Sequence, residues 1–180
     1  MSTPEHSPAD TGTSGVGRGM LLLGWGLGLA LLALLFSGVL DRQHNPNRQL
    51  HTLIDGDGSR TVSLQGNRAG HYLASGQING QLVEFLLDTG ASDVSIPAPV
   101  AQRLGLQPGQ ARIYRTANGQ ITAYDTRLDS LALGEIRLQD VRASINPHMD
   151  GETILLGMSF LRHLEFTQRG DTLIIRQHPQ

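Results

Sequence analysis

The chain contains no cysteine. Disulfide frameworks and thiolate metal sites are thereby excluded, although the compartment is left open, since an oxidising one permits disulfides without requiring them. An excess of positive charge is also missing: 14 basic residues stand against 16 acidic ones, and no basic run occurs. That balance argues against a nucleic-acid surface, so no nucleic-acid partner is expected. The seven histidines (His6, His44, His51, His71, His148, His163 and His178) show no H-E-x-x-H or other paired spacing. No metal and no other cofactor is therefore expected. Nor is there a G-x-S-x-G elbow that would make Ser92 or Ser95, near His71, a serine nucleophile.

What is present begins with a change of character along the chain. Residues 1–18 are rich in Ser, Thr, Pro and Gly and cannot bury enough apolar surface to offset their ordering entropy, so a disordered tail is expected there. From Gly19 to Leu40 there is no charge, with Arg18 and Asp41 at the boundaries. That is about 22 residues, or roughly 33 Å of helix, against a bilayer core of about 30 Å. A single transmembrane helix is expected over 19–40. A cleaved signal peptide would be shorter, and Ser37-Gly38 is a poor cleavage site, so the anchor is read as uncleaved. Gly24 and Gly28 form a G-x-x-x-G pair of the kind that lets membrane helices approach closely. Arg18 before the helix and Arg42 and Arg48 after it do not set an orientation by charge alone. Residues 41–60 read as a linker, with Asn45-Pro46-Asn47 and Asp55-Gly56-Asp57-Gly58 as turn signals. Asp55, Asp57 and Ser59 lack the downstream glutamate of a calcium loop.

Residues 61–180 form one domain whose text is β throughout. Strands are expected at Thr61–Leu64, His71–Ile78, Gln81–Leu87, Val94–Ile96, Thr126–Leu133, Ile136–Ile145, Thr153–Gly157 and Thr172–Arg176. Asn79-Gly80, Asn118-Gly119 and Gly134-Glu135 are hairpin turn signals. Short helices are expected at Pro99–Leu104 and Met158–Leu164. The terminal strand is apolar at Leu173, Ile174 and Ile175, an edge expected to be covered by a second chain.

The most informative stretch is Phe85-Leu86-Leu87-Asp88-Thr89-Gly90-Ala91-Ser92. A buried strand running into a carboxylate is unusual, because an unpaired buried charge is strongly disfavoured. Asp88 must be neutralised, hydrogen-bonded or shared, and groups perturbed in that way gather at functional sites. A plain Asp-Thr-Gly turn is the competing reading. Three motifs weigh on the choice: Asn79-Gly80 ahead of Asp88-Thr89-Gly90-Ala91-Ser92, then Thr116-Ala117-Asn118-Gly119, then Leu155-Leu156-Gly157-Met158-Ser159-Phe160-Leu161. In that order they resemble the bacterial membrane-anchored, retropepsin-like aspartic protease family, over about Gly70 to Arg176.

The resemblance implies an all-β fold, a closed acid-protease barrel with one or two short helices. It implies that Asp88 is the catalytic carboxylate, that Thr89 braces it across a subunit interface, and that Gly90 contacts the substrate backbone. Ala91, Ser92 and Asp93 would add substrate contacts. Thr116, Ala117, Asn118, Gly119 and Gln120 would form a flap over a bound peptide, although the paired glycines of viral flaps are missing here. Ile154 to Gly157 would pack behind the loop. The resemblance implies a bacterial inner-membrane location; a short N-terminal tail before one anchor is compatible with a periplasmic domain, and the side is left open.

The chemistry needs two carboxylates, one ionised to take a proton from water and one protonated to polarise the carbonyl. Only one apolar-apolar-Asp-Thr-Gly motif exists: Asp171-Thr172 lacks the glycine, and Asp125-Thr126 lacks both the glycine and the apolar lead-in. The second acid must come from a second copy, so the resemblance implies a homodimer acting on peptides. The alternative is a membrane-tethered binding or scaffolding module with the same fold and no turnover. Retention of Asp88-Thr89-Gly90 favours the enzyme, because a retired site has no chemical reason to keep the acid.

Overall fold

A computed structural model of the chain describes residues 14–116 and 119–179. It divides into two compact units, Met1–Leu40 and Asp41–Gln180.

The first unit is dominated by helix α1, Ser14–His44. Every residue from Gly19 to Phe36 is exposed, and this stretch is long and apolar enough to cross a membrane. A water-soluble surface helix would show a polar stripe, and none interrupts this run. The helix extends beyond 19–40 at both ends, so residues 14–18, expected in a disordered tail, are helical. It stops at His44 because Asn45 precedes Pro46, and the proline ring pushes the residue before it out of the α region.

In the second unit, strands β3 (Leu73–Ile78), β4 (Gln81–Leu87), β5 (Val94–Pro97), β7 (Gly119–Leu133), β8 (Ile136–Asn146) and β9 (Ile154–Leu156) lie in the order β3-β4-β9-β5-β8-β7. A further pairing of β3 with β7, Gln77↔Ala132 and Ile78↔Leu131, closes the sheet on itself. This is the closed all-β barrel that the family resemblance implies. The barrel interior is apolar, with Phe85, Ile96, Leu128, Leu131, Leu133, Ile154, Leu156 and Phe160 fully buried. Closure removes the edges that an open sheet of this size would expose. Strand β6 (Ala111–Thr116) pairs with the start of β7 and carries the hairpin out from the barrel. Helices α2 (Ala98–Arg103) and α3 (Met158–Leu161) are short.

Local turn chemistry explains the first hairpin. Asn79 and Gly80 have φ of 50° and 79°, the double positive φ that a type I′ turn demands, and Ile78 pairs with Gln81. Gly134 (φ 62°) turns β7 into β8 in the same region of conformational space.

Two expectations fail for physical reasons. The stretch 41–60 is part of the folded unit, not a bare linker. Strand β1 (Thr52–Ile54) pairs with β2 (Arg60–Gln65), and Asn45 and Asn47 are buried. The Asn47 amide donates to the carbonyls of Gln65 (2.9 Å) and Leu73 (2.6 Å), and its oxygen accepts from Gln65 N–H (2.8 Å). The polarity that suggests a linker is here spent on satisfying strand-end backbone groups. The terminal strand β11 (Thr172–Gln177) is also no edge. It lies between β2 and β10 (Glu165–Arg169) in a four-stranded sheet β1-β2-β11-β10 of the same chain. Its alternation turns Leu173 and Ile175 into the core beside Val62 and Leu64, while Ile174 on the other face is half-buried.

Candidate active site

The Asp88 loop is gripped by the segment Leu155-Leu156-Gly157-Met158. β4 runs parallel to β9, with Leu86 opposite Leu155 and Leu87 opposite Leu156. Asp88 N–H donates to Leu156 O (3.2 Å), and Met158 N–H donates back to Ala91 O (2.8 Å). Between those two bonds sits Gly157. A Cβ there would lie 2.7 Å from Ala91 O and closer still to Asp93 O, so no side chain fits. Within the loop, Gly90 N–H donates to Asp88 Oδ1 (2.8 Å) and Ala91 N–H to Asp88 O (3.2 Å). The loop is a tight Asp-Thr-Gly turn whose backbone bonds aim the carboxylate. Within one chain Asp88 is only half-buried, and Thr89, Gly90 and Ser92 are exposed. The deep burial expected for this acid is not supplied by its own chain.

Five residues on, the situation reverses. Asp93 is 6% exposed. Its Oδ1 accepts from Arg142 Nε (2.8 Å) and Nη2 (2.6 Å), and its Oδ2 accepts from the Tyr114 hydroxyl (3.0 Å). Desolvation by burial, reinforced by the hydrogen bond to Asp93, pushes the Tyr114 phenol up to about 12. The bonds to Asp93 likewise raise Arg142 above the usual guanidinium value. Tyr114 also lies 3.5 Å from Asp125 Oδ1, and Asp125 is ion-paired with Arg112. Asp93, expected as a substrate contact, has both oxygens engaged in bracing the loop. Tyr114 and Arg142 carry no sequence signal for this role, because the partners lie 21 and 49 residues away.

These pieces border a cleft of about 380 Å³. Its floor and rim come from Asp88, Gly90 and Ala91 on the loop, Tyr114 and Ile121 on the β6–β7 hairpin, Ser144 and Asn146 on β8, and Leu155 on β9. Ser92 and Asp93 also line it, so the loop residues singled out in the sequence are brought together except for Thr89. Of the expected flap residues, Gly119 and Gln120 are exposed and paired in the ladder, Thr116 with Gly119 and Arg115 with Gln120. An Asn118-Gly119 turn centre would pair Ala117 with Gln120, so the register differs from the expected one. Ala117 and Asn118 lie outside the described residues. Among the described residues no group of three His, Asp or Glu side chains is placed to hold a metal ion.

The fold and this loop define a class of protein. Residues 74–163 match the family described as "gag-polyprotein putative aspartyl protease", and the chain belongs to the retropepsin-like aspartic protease family. It is similar to a retropepsin-like aspartic protease from Rickettsia conorii of known crystal structure, at 28% identity and a TM-score of 0.57, over 72% of this chain and 96% of that one. An uncharacterized protein of Sinorhizobium sp. is 32% identical over 128 residues, covering 69% of this chain and 55% of the relative. An uncharacterized protein of Rickettsia prowazekii is 32% identical over 111 residues, covering 59% and 47%. The chain thus spans about half the length of the curated relatives it matches.

Proposed function

We propose that the protein is a membrane-anchored aspartic endopeptidase whose active centre forms when two chains bring their Asp88 carboxylates together. The observation that carries this reading is the state of the Asp88 loop: an ordered Asp-Thr-Gly turn at the rim of a cleft, with its acid half-buried and Thr89 and Gly90 open to a partner. Asp88 is the catalytic group. Two such acids a few ångströms apart share one proton, because both cannot ionise together. The ionised one takes a proton from water and the protonated one polarises the scissile carbonyl. Thr89 braces the partner's loop, Gly90 and Ala91 receive the substrate backbone, and residues 116–120 close over it. Isologous pairing about a two-fold axis is the commonest oligomer geometry and suits a self-complementary loop. The apolar helix over Gly19–Phe36 anchors the chain. Tethering two copies in one bilayer raises their effective concentration, with the exposed Gly24 and Gly28 allowing close helix approach.

The test is cleavage of a peptide library by the full chain in micelles, against the Asp88→Asn variant. Cleavage should be strongest at acid pH, rise per molecule with protein concentration, and be poisoned by excess Asp88→Asn chains. Specific activity that stays constant down to concentrations where sedimentation shows only monomer would refute the two-chain centre.

A further inference from the structure

The chain has fourteen basic residues, and every one is an arginine. Several are matched to acids: Arg112 to Asp125, Arg127 to Asp140, Arg142 to Asp93, and Arg176 to Asp55 and Asp57. One concavity breaks that pattern. Formed by β7, β8 and the residues following α3, it has a volume of about 400 Å³ and is lined by Arg127, Arg137, Arg142, Arg162 and His163, with Asp140 as its only acid.

Asp140 is taken by Arg127, whose Nη1 donates to both of its oxygens at 2.7 Å. Arg142 spends Nε and Nη2 on Asp93. Among the described residues, the side chains of Arg137, Arg162 and His163 have no hydrogen bond or ion pair. Four guanidinium charges therefore face two carboxylates, which leaves two positive charges uncompensated in a chain whose net charge is −2. A guanidinium does not deprotonate in proteins, so this excess cannot be relieved by titration. A concave site with charge of one sign focuses the field and concentrates counter-ions. The Ser159 hydroxyl in the wall is already spent, accepting from Val94 N–H and donating to Arg142 O.

We propose that this cleft binds a phosphoryl group, with Arg137 and Arg162 as its principal ligands. A phosphoryl monoester offers three terminal oxygens to several planar donor forks at once, whereas a carboxylate offers two. The volume admits a phosphate ester and not only the bare ion, since small-molecule sites begin at about 300 Å³. The same chemistry is carried by a soluble phosphate ester and by a phospholipid headgroup. The site is joined to the candidate active centre through Arg142, one guanidinium that lines this cleft and holds Asp93. Occupancy should therefore also alter proteolysis, a consequence that rests on the proteolytic reading, whereas binding itself does not.

The experiment is calorimetric titration of the full chain in zwitterionic micelles. One arm uses inorganic phosphate, and the other compares short-chain phosphatidylglycerol with phosphatidylcholine. Each arm is run on the wild type and on the Arg137→Gln/Arg162→Gln double variant. The expected result is one saturable site in at least one arm, weakened about tenfold or more in the double variant, with the ligand-free unfolding midpoint unchanged. Binding of phosphatidylglycerol alone identifies the headgroup as the source, and binding of inorganic phosphate identifies a soluble ester. If the double variant fails to fold, Arg162→Gln alone carries the same comparison, since Arg162 has no partner to lose. The proposal is overturned by the absence of saturable binding in both arms, by equal binding in the variant, or by reproduction of the signal with chloride at equal ionic strength.

Discussion

Asp88 and Asp93 sit on the same loop, yet they meet opposite fates. Asp88 is half-buried, receives one backbone N–H from within the loop, and faces a cleft. Asp93 is buried, and three donor atoms from two other strands occupy both its oxygens. The inner acid is complete within one chain. Its bonds tie the loop to β8 through Arg142 and to β6 through Tyr114. The outer acid is held in position and left available. A rigid support under the acid is what the proposed two-chain site needs, because its geometry would have to survive the arrival of a second chain. The comparison separates the residues that hold the loop from the one proposed to act.

The contrast predicts that the two acids fail differently. Asp88→Asn keeps an acceptor for Gly90 N–H and should leave the unfolding midpoint unchanged, while hydrolysis falls by about a thousandfold or more. A variant with near wild-type turnover would remove Asp88 from the chemistry. Gly157→Ala should act through stability instead. Its Cβ meets the backbone carbonyls of Ala91 and Asp93, which cannot move without opening the loop. Gly157 has φ of −90°, so the loss is steric and not conformational. Overpacking of this kind costs about 2–4 kcal/mol, measurable by chemical denaturation. A neutral result would show that the loop is not gripped by the Gly157 segment.

Arg142→Met probes the inner acid, because it leaves the Asp93 carboxylate buried with only Tyr114 as a partner. Removing one member of a buried pair costs about 3–5 kcal/mol, and the half-exposure of Arg142 reduces the expected loss to about 2 kcal/mol. A double-mutant cycle with Asp93→Asn sharpens the point: the pair should lose less together than the sum of the single losses. Additive losses would mean that the two side chains do not stabilise each other.

How much of this was legible depends on the range of the interaction. Asn79-Gly80 and Gly134 encode their turns in adjacent residues, and the period-2 alternation of β4 and β11 marks which face is buried. The Asp88 turn and the Leu155-Leu156-Gly157 segment are local texts as well, and only their order along the chain suggested that they meet. The Asn47 clamp, strand β10, the β3–β7 closure and the Asp93 brace were not readable. Strand β10 is an exposed, polar strand that pairs with its neighbour β11 across the Gly170-Asp171 turn. The others join residues far apart in sequence whose identities are individually ordinary, such as an asparagine before a strand or an arginine on an outward face. For Asp88 the apolar lead-in Phe85-Leu86-Leu87 suggested deep burial. The strand is buried at Phe85 and half-buried at Leu86 and Leu87, where its pairing with β9 ends, so the acid emerges at the rim.

The smallest expected effect concerns Tyr114, the link between the inner acid and β6. Its folded phenol is pushed up to about 12, while an unfolded tyrosine titrates near pH 10. Between those values the unfolded chain releases the proton first, so the folded state binds more protons. Stability from this group is fully present below about pH 10 and is lost as pH rises toward 12. Tyr114→Phe cannot titrate, and it also leaves Asp93 Oδ2 without its donor. The variant should therefore be slightly less stable than the wild type at neutral pH, with a shallower fall in stability across the alkaline window. Two denaturation series, at neutral pH and across that window, measure both parts. Parallel alkaline slopes for the two proteins would mean that the phenol is not held by Asp93, and the connection from the inner acid to β6 would fail with it.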